Sequence, residues 1–168
     1  MSGSRALSLS LVGLAAVGVV LTGCSSDDGE SGTSAPGGKG GAAVSKGGKG
    51  SAKLTYSGGA SGEVVIESVG CAVMDGKLTA VTAPDSADSG APAKPSFTAV
   101  LSGDKAMSTL TTKDGTGYVQ SAGSGVSGFK SGDTWVVNVD GLTLGPTDLS
   151  GEPITVDGTI TCGSVAGV

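Results

Sequence analysis

The sequence predicts an all-β fold, a small antiparallel sandwich or partly open barrel, preceded by a signal segment and a disordered linker. Three observations predict it. From Lys53 onward apolar residues recur with period two, the pattern of strands with one buried and one wet face. Between these runs lie Asp75-Gly76, Asp114-Gly115 and Ser131-Gly132-Asp133, residues that supply the backbone conformations of hairpin turns. Valine and threonine, which suit a pleated surface, are abundant, and no long amphipathic helix pattern follows the leading segment.

Length and composition divide the chain into three parts: residues 1–23, 24–52 and 53–168. A length of 168 residues predicts one domain with extensions. Thirteen of the 32 glycines precede Ser51, so the front third differs in kind from the rest. From Lys53 to Val168 there are 12 acidic residues against 6 lysines and no arginine. Such a unit repels nucleic acid phosphates and lacks the guanidinium groups that grip them, which excludes nucleic acid as a partner.

Residues 1–23 read as a lipoprotein signal peptide. Met1 to Arg5 carries the positive charge, and Ala6 to Leu21 is a run of 16 small or apolar residues broken only by Ser8 and Ser10. A spanning helix needs about 20 residues, so this run is short for a permanent anchor and fits an h-region. Leu21-Thr22-Gly23-Cys24 stands where a cleavage site belongs and resembles the bacterial lipobox. In that motif the cysteine thiol takes a diacylglyceryl group as a thioether, small residues give a peptidase access, and cleavage leaves the cysteine as the lipidated N-terminus. Two acyl chains, at about 0.8 kcal/mol per buried CH₂, hold a protein at a membrane. Cys24 is therefore the expected lipidation site.

Export places the rest of the chain in an oxidising compartment. The chain has three cysteines; with Cys24 lipidated, Cys71 and Cys162 remain as the only intramolecular pair. A bridge closing roughly 90 residues contributes about 4 to 5 kcal/mol on the chain-entropy model.

Residues 24–52 comprise the lipidated N-terminus and a Gly/Ser/Lys linker. Ser25 to Ala52 contains nine glycines and one large aliphatic, Val44, too little apolar surface to offset ordering entropy. As a flexible coil it spans roughly 30 Å. GGKG occurs twice, at Gly37–Gly40 and Gly47–Gly50. Lys39, Lys46 and Lys49 keep such a linker soluble; contact with anionic lipid or wall polymer is the functional alternative.

Within 53–168, GEVVIESVGCAV is apolar enough for a buried strand. In TWVVNVDGLTL, Trp135, Val137 and Val139 face one way, with Asn138 and Asp140 opposite. In PITVDGTITC, Ile154, Val156, Ile160 and Cys162 share one face. Pro84 to Pro95, with three prolines, is expected as an exposed loop; Ser121 to Gly128 reads as a flexible loop, the preferred reading, or as a strand whose glycines permit close backbone approach.

Chemistry is hard to find. The chain has no histidine, which removes the usual general base, the usual zinc ligand and any serine–histidine triad. The carboxylate pairs Glu63/Glu67, Asp85/Asp88 and Asp104/Asp114 are the remaining acid–base candidates. However, Asp75, Asp114 and Asp157 each precede a glycine, as turn-forming aspartates do. Asp85 to Ser89 is rich in oxygen ligands but lacks calcium-loop spacing and a bidentate glutamate. Trp135 reads as a core or rim residue, with a sugar-stacking platform as the alternative. No catalytic residue, metal or cofactor is expected.

The chain resembles the actinobacterial lipoprotein antigen family, the mycobacterial LpqH-like proteins, over roughly Gly62 to Cys162. The likeness lies in a strand leading into Cys71, a central KDGTGYVQ hairpin, the segment SGDTWVVNVDGLTLG, and a final strand ITVDGTITC ending on the second cysteine. It implies a surface-exposed lipoprotein whose acyl groups engage innate immune receptors. Family tethers are often threonine-rich and glycosylated, whereas this one has a single threonine, Thr33. The expected function is a non-enzymatic, membrane-anchored envelope lipoprotein, held through the diacylglyceryl group on Cys24 at the extracytoplasmic face. It would serve as a display or binding module for an envelope polymer or protein. The alternative is a lipid or glycolipid carrier with an apolar cavity in the β domain; a hydrolase would need a carboxylate pair in a cleft.

Overall fold

The computed structural model describes residues 45–167. The signal peptide, the Leu21-Thr22-Gly23-Cys24 motif and the linker through residue 44 lie outside the described residues. Ten strands follow in order: β1 (Ser45–Gly58), β2 (Gly62–Ile66), β3 (Gly70–Met74), β4 (Lys77–Ala83), β5 (Ser96–Ser102), β6 (Lys105–Thr111), β7 (Gly117–Gly123), β8 (Val126–Ser131), β9 (Thr134–Pro146) and β10 (Ile154–Ala166). Among the described residues the fold is all-β, as the period-two pattern requires.

The strands form one sheet, ordered β2-β1-β10-β3-β4-β5-β6-β7-β9-β8, and β10 also pairs with β9. That extra pairing closes a ring: β10, then β3 to β7, then β9, then β10 again. β1 and β2 extend the sheet from β10, and β8 flanks β9. The pairings are antiparallel with one exception. Residues 164–166 of β10 run parallel to residues 70–72 of β3, a departure from the purely antiparallel expectation. Short parallel ladders are the weaker kind.

β10 is the hub because its alternation is long and regular. Ile154, Val156, Ile160 and Cys162 are buried, and Asp157 and Thr159 between them are not. One edge of β10 follows β1 from Gly58 back to Ser45, while residues 154–161 also pair with β9. The core they enclose includes Phe97, Leu54, Leu110, Leu142, Leu144 and Ile160, all fully buried. Each such side chain contributes about 1.5–3 kcal/mol by leaving water.

In β9 the buried positions switch from odd, Val137 and Val139, to even, Leu142 and Leu144. A register shift against β10 makes the switch, placing Asp140 and Gly141 opposite Asp157. Gly141 takes φ 62° there, and its N–H donates to Asp157 Oδ1 at 2.7 Å. A bulge of this kind reverses which face each later side chain meets. Asp157 is thus a mid-strand brace for the neighbouring strand, where the Asp-Gly dipeptide suggested a turn. Asp75 and Gly76, by contrast, form the predicted β3–β4 hairpin turn, with φ 51° and 69°.

Three other boundaries differ from the sequence reading. Strand structure begins at Ser45 rather than Lys53, so the second GGKG lies within β1 and outside any linker. At Gly50 the β1 backbone runs against Gly163 so closely that a Cβ on either residue would collide with the opposite main chain. The glycines there serve close approach, which composition cannot distinguish from flexibility. The stretch GEVVIESVGCAV is two strands, β2 and β3, separated at Glu67–Val69. Ser121 to Gly128 follows the strand alternative and not the preferred loop: β7 and β8 occupy it, turning at Ser124-Gly125. Pro84 to Pro95 is the loop expected between β4 and β5.

The disulfide joins Cys71 on β3 to Cys162 on β10 with a Cα–Cα distance of 5.8 Å, well inside the range such bridges span. It sits beside the three-residue parallel ladder and spans 91 residues of sequence. Replacing both cysteines by alanine is expected to lower unfolding free energy by about 2–5 kcal/mol. Urea titration of the two forms checks this; a loss under about 1 kcal/mol would show the ladder sufficient by itself.

Candidate functional site

The sequence-predicted residues scatter. Leu21, Thr22, Gly23 and Cys24 lie outside the described residues. Cys71 and Cys162 meet in the bridge, both nearly buried, and neither is free to act as a nucleophile.

Four of the carboxylate candidates have local structural partners. Glu63 lies 4.0 Å from Lys53 on the exposed face of β1 and β2, an ion pair of small energetic weight. Asp88 accepts the Gly90 N–H at 3.2 Å within the proline loop, closing a local turn. Asp85 ties that loop down: one carboxylate oxygen accepts the Ala87 N–H at 3.0 Å and the other accepts the Ser164 hydroxyl. Its own N–H donates to Ser68 Oγ at 3.4 Å. The loop is thereby fastened to both sides of the β3–β10 junction. Asp114 accepts hydroxyl hydrogen bonds from Thr112 and Thr116 in the β6–β7 turn. Among the described residues no group of three potential ligands is placed to hold a metal ion.

Asp114 is held below the usual carboxylate range first by the Thr112 hydroxyl and then by that of Thr116. Asp148 is lowered likewise, chiefly by the Ser150 hydroxyl. Both adjustments belong to turns. Hydrogen bonds to the charged form favour it, the opposite of what a general acid near neutrality needs.

Open clefts among the described residues include the following. One of about 490 Å³ lies between the proline loop and the residues around Val65–Ser68. A second, about 260 Å³, is on the far side of that loop, floored by Ala72, Ala80 and Ala166. A third, about 560 Å³, separates the β5–β6 turn from β8. The fourth, about 510 Å³, gathers side chains of a different kind: Trp135, Phe129, Lys130 and Asp133, with Val73 and Val165.

That fourth cleft follows from the strand pairing. Trp135 begins the buried face of β9 and packs partly on the core, opposite Lys130 of β8. Phe129 faces the other way, paired with Val136 on the edge strand β8, and is 47% exposed. Trp135 therefore stands at the rim of the core, the first of the two roles open at the sequence level, where it also lines an open cleft. Phe129 was not singled out by sequence. Its signal was faint: an aromatic followed by a lysine, directly after the glycine-rich segment Ser121 to Gly128.

No protein-family model, no curated protein and no solved structure matches this chain.

Because Asp114 is lowered in the folded chain, its contribution to stability is present above the unfolded carboxylate range and is lost as pH falls through the depressed value. Native protein is expected to lose more urea resistance between about pH 7 and about pH 3 than Asp114→Asn does. Equal losses in the two forms would contradict this.

Proposed function

We propose that this chain is a membrane-anchored cell-envelope lipoprotein, lipidated at Cys24, whose β domain is a non-enzymatic display or binding module at the extracytoplasmic face. The observation that carries the reading is the division of the three thiols. Cys71 and Cys162 are bonded to each other, so Cys24 alone remains, and it stands in Leu21-Thr22-Gly23-Cys24 at the end of an apolar run. A disulfide beside a third cysteine in that setting fits an exported lipoprotein. The likeness to the actinobacterial lipoprotein antigens supports the same placement.

On this reading the Gly/Ser/Lys stretch between Cys24 and β1 is a tether. Diacylglyceryl attachment supplies the membrane affinity, and the domain's acidic surface keeps it away from phosphate-rich polymers. The turn roles of Asp114 and Asp148, both held in the charged form by neighbouring hydroxyls, are consistent with a binding role. The alternative, a lipid or glycolipid carrier, needs room for acyl chains between the strands. Phe97, Leu110, Leu142, Leu144 and Ile160 occupy that interior, which favours the display or binding reading.

In a host that processes lipoproteins, Cys24→Ala is expected to move the protein from the membrane fraction to the soluble fraction. The native form should carry a diacylglyceryl mass increment on a chain beginning at Cys24. Retention of Cys24→Ala with membranes, or an unmodified Cys24, would refute the anchor.

A further inference from the structure

Val100 and Met107 keep 46% and 53% of their surface in water, and the β5–β6 register sets them side by side. The row continues over β4 and β3, where Ala80 lies beside Val100 and Ala72 beside Ala80. All four point away from the core, because their chain neighbours Cys71, Val81, Ala99 and Ala106 are the buried, inward positions. Thr82, Thr98 and Thr109 form a second row on the same face. Between its ends this face carries no charge, whereas the outward face of β1, β2 and β10 bears Lys53, Glu63 and Asp157. The first row is also uneven. Val100 and Met107 form a ridge, while Ala72 and Ala80, with Ala166 beside Ala72, floor the cleft of about 260 Å³ that Asp85 to Ala87 wall on its other side. A contiguous apolar patch of this kind on an acidic domain is the informative kind of exposure.

We propose that this face binds a second copy of the chain, the Val100–Met107 ridge of each copy seated in the alanine cleft of the other. The inference goes beyond the anchored-module reading and does not rest on it, since the contact is built within the β domain. Shape selects the occupant. A two-fold axis along the strands, between β4 and β5, reverses the order of the row. Met107 of one copy then meets Ala72 of the other and Val100 meets Ala80, so each ridge fills the opposite cleft, as a self-complementary interface requires. A different partner would have to bring a matching ridge and a matching cleft, whereas a second copy brings both. Charge agrees. The same axis lays the β5–β6 turn, with Asp104 and Lys105, over the β3–β4 turn, with Asp75 and Lys77, and each turn is neutral in sum. Two acidic copies can therefore approach on this face without burying an unpaired charge. Four strands at about 4.8 Å and seven residues at about 3.3 Å cover at most roughly 900 Å² for the pair, which makes the dimer weak and reversible. On the envelope reading both copies share one membrane surface, which raises their effective concentration and lets a small contact suffice.

Sedimentation equilibrium of the full chain in density-matched detergent, over a concentration series reaching about 1 mM, tests this. A reversible monomer–dimer equilibrium is expected. Met107→Lys should weaken it by about tenfold or more, because an ammonium group would enter the apolar cleft without a partner. Met107 is exposed, and an unchanged thermal midpoint would confirm that the variant folds. Val65→Lys is the control: Val65 is 51% exposed but lies on β2, outside the face, so its dimer should match that of the native chain. A monomer across the whole series overturns the proposal, as does equal dimerisation in Met107→Lys. Equal weakening by Val65→Lys also overturns it, in favour of pairing along the β2 edge.

Discussion

The fold depends on how β3 is held against β10. The two share only a three-residue parallel ladder, yet the whole ring closes through it. Three supports converge there. The Val69 N–H donates to the Lys49 carbonyl at 2.8 Å, and the Val69 carbonyl accepts from Gly163 and Ser164 at 2.9 and 3.1 Å. The Cys71–Cys162 bridge lies beside these bonds, and Asp85 draws the proline loop onto Ser164. Val69 is itself fully buried, so its two backbone groups depend on these partners and not on water. The glycine pairing at Gly50 and Gly163 is the steric condition for bringing the backbones that close.

This junction explains which parts of the fold were legible in the sequence. Alternation in β9 and β10 identified buried and exposed faces because each strand has one wet side. The Asp75-Gly76 turn and the cysteine pair were legible because short-range turn chemistry and thiol count leave few choices. What sequence missed depended on tertiary proximity. Gly50 looked like linker, since flexibility and close packing use the same residue. Asp157 looked like a turn former because its partner, the Gly141 N–H, lies on another strand. The β7–β8 hairpin looked like a loop because its glycines dilute the apolar pattern; β8 is an edge strand with much of its surface exposed.

The same reasoning separates the two ends of the functional account. The proposed anchor rests on a local chemical signal, a thiol at the end of an apolar run, and is therefore argued from sequence alone. The face proposed for self-association is assembled from β3 to β6, and no stretch of sequence contains it. The domain thus joins a tightly packed interior to an edge strand on which Phe129 and Lys130 are exposed.

Amide hydrogen exchange of the oxidised and reduced protein tests the central claim most directly. If the bridge holds the junction closed in the folded state, reduction should cost Val69, Gly163 and Ser164 more protection than the β5–β6 ladder amides. Equal loss across all of these amides would mean that the bridge acts only by restricting the unfolded chain, and would contradict the account.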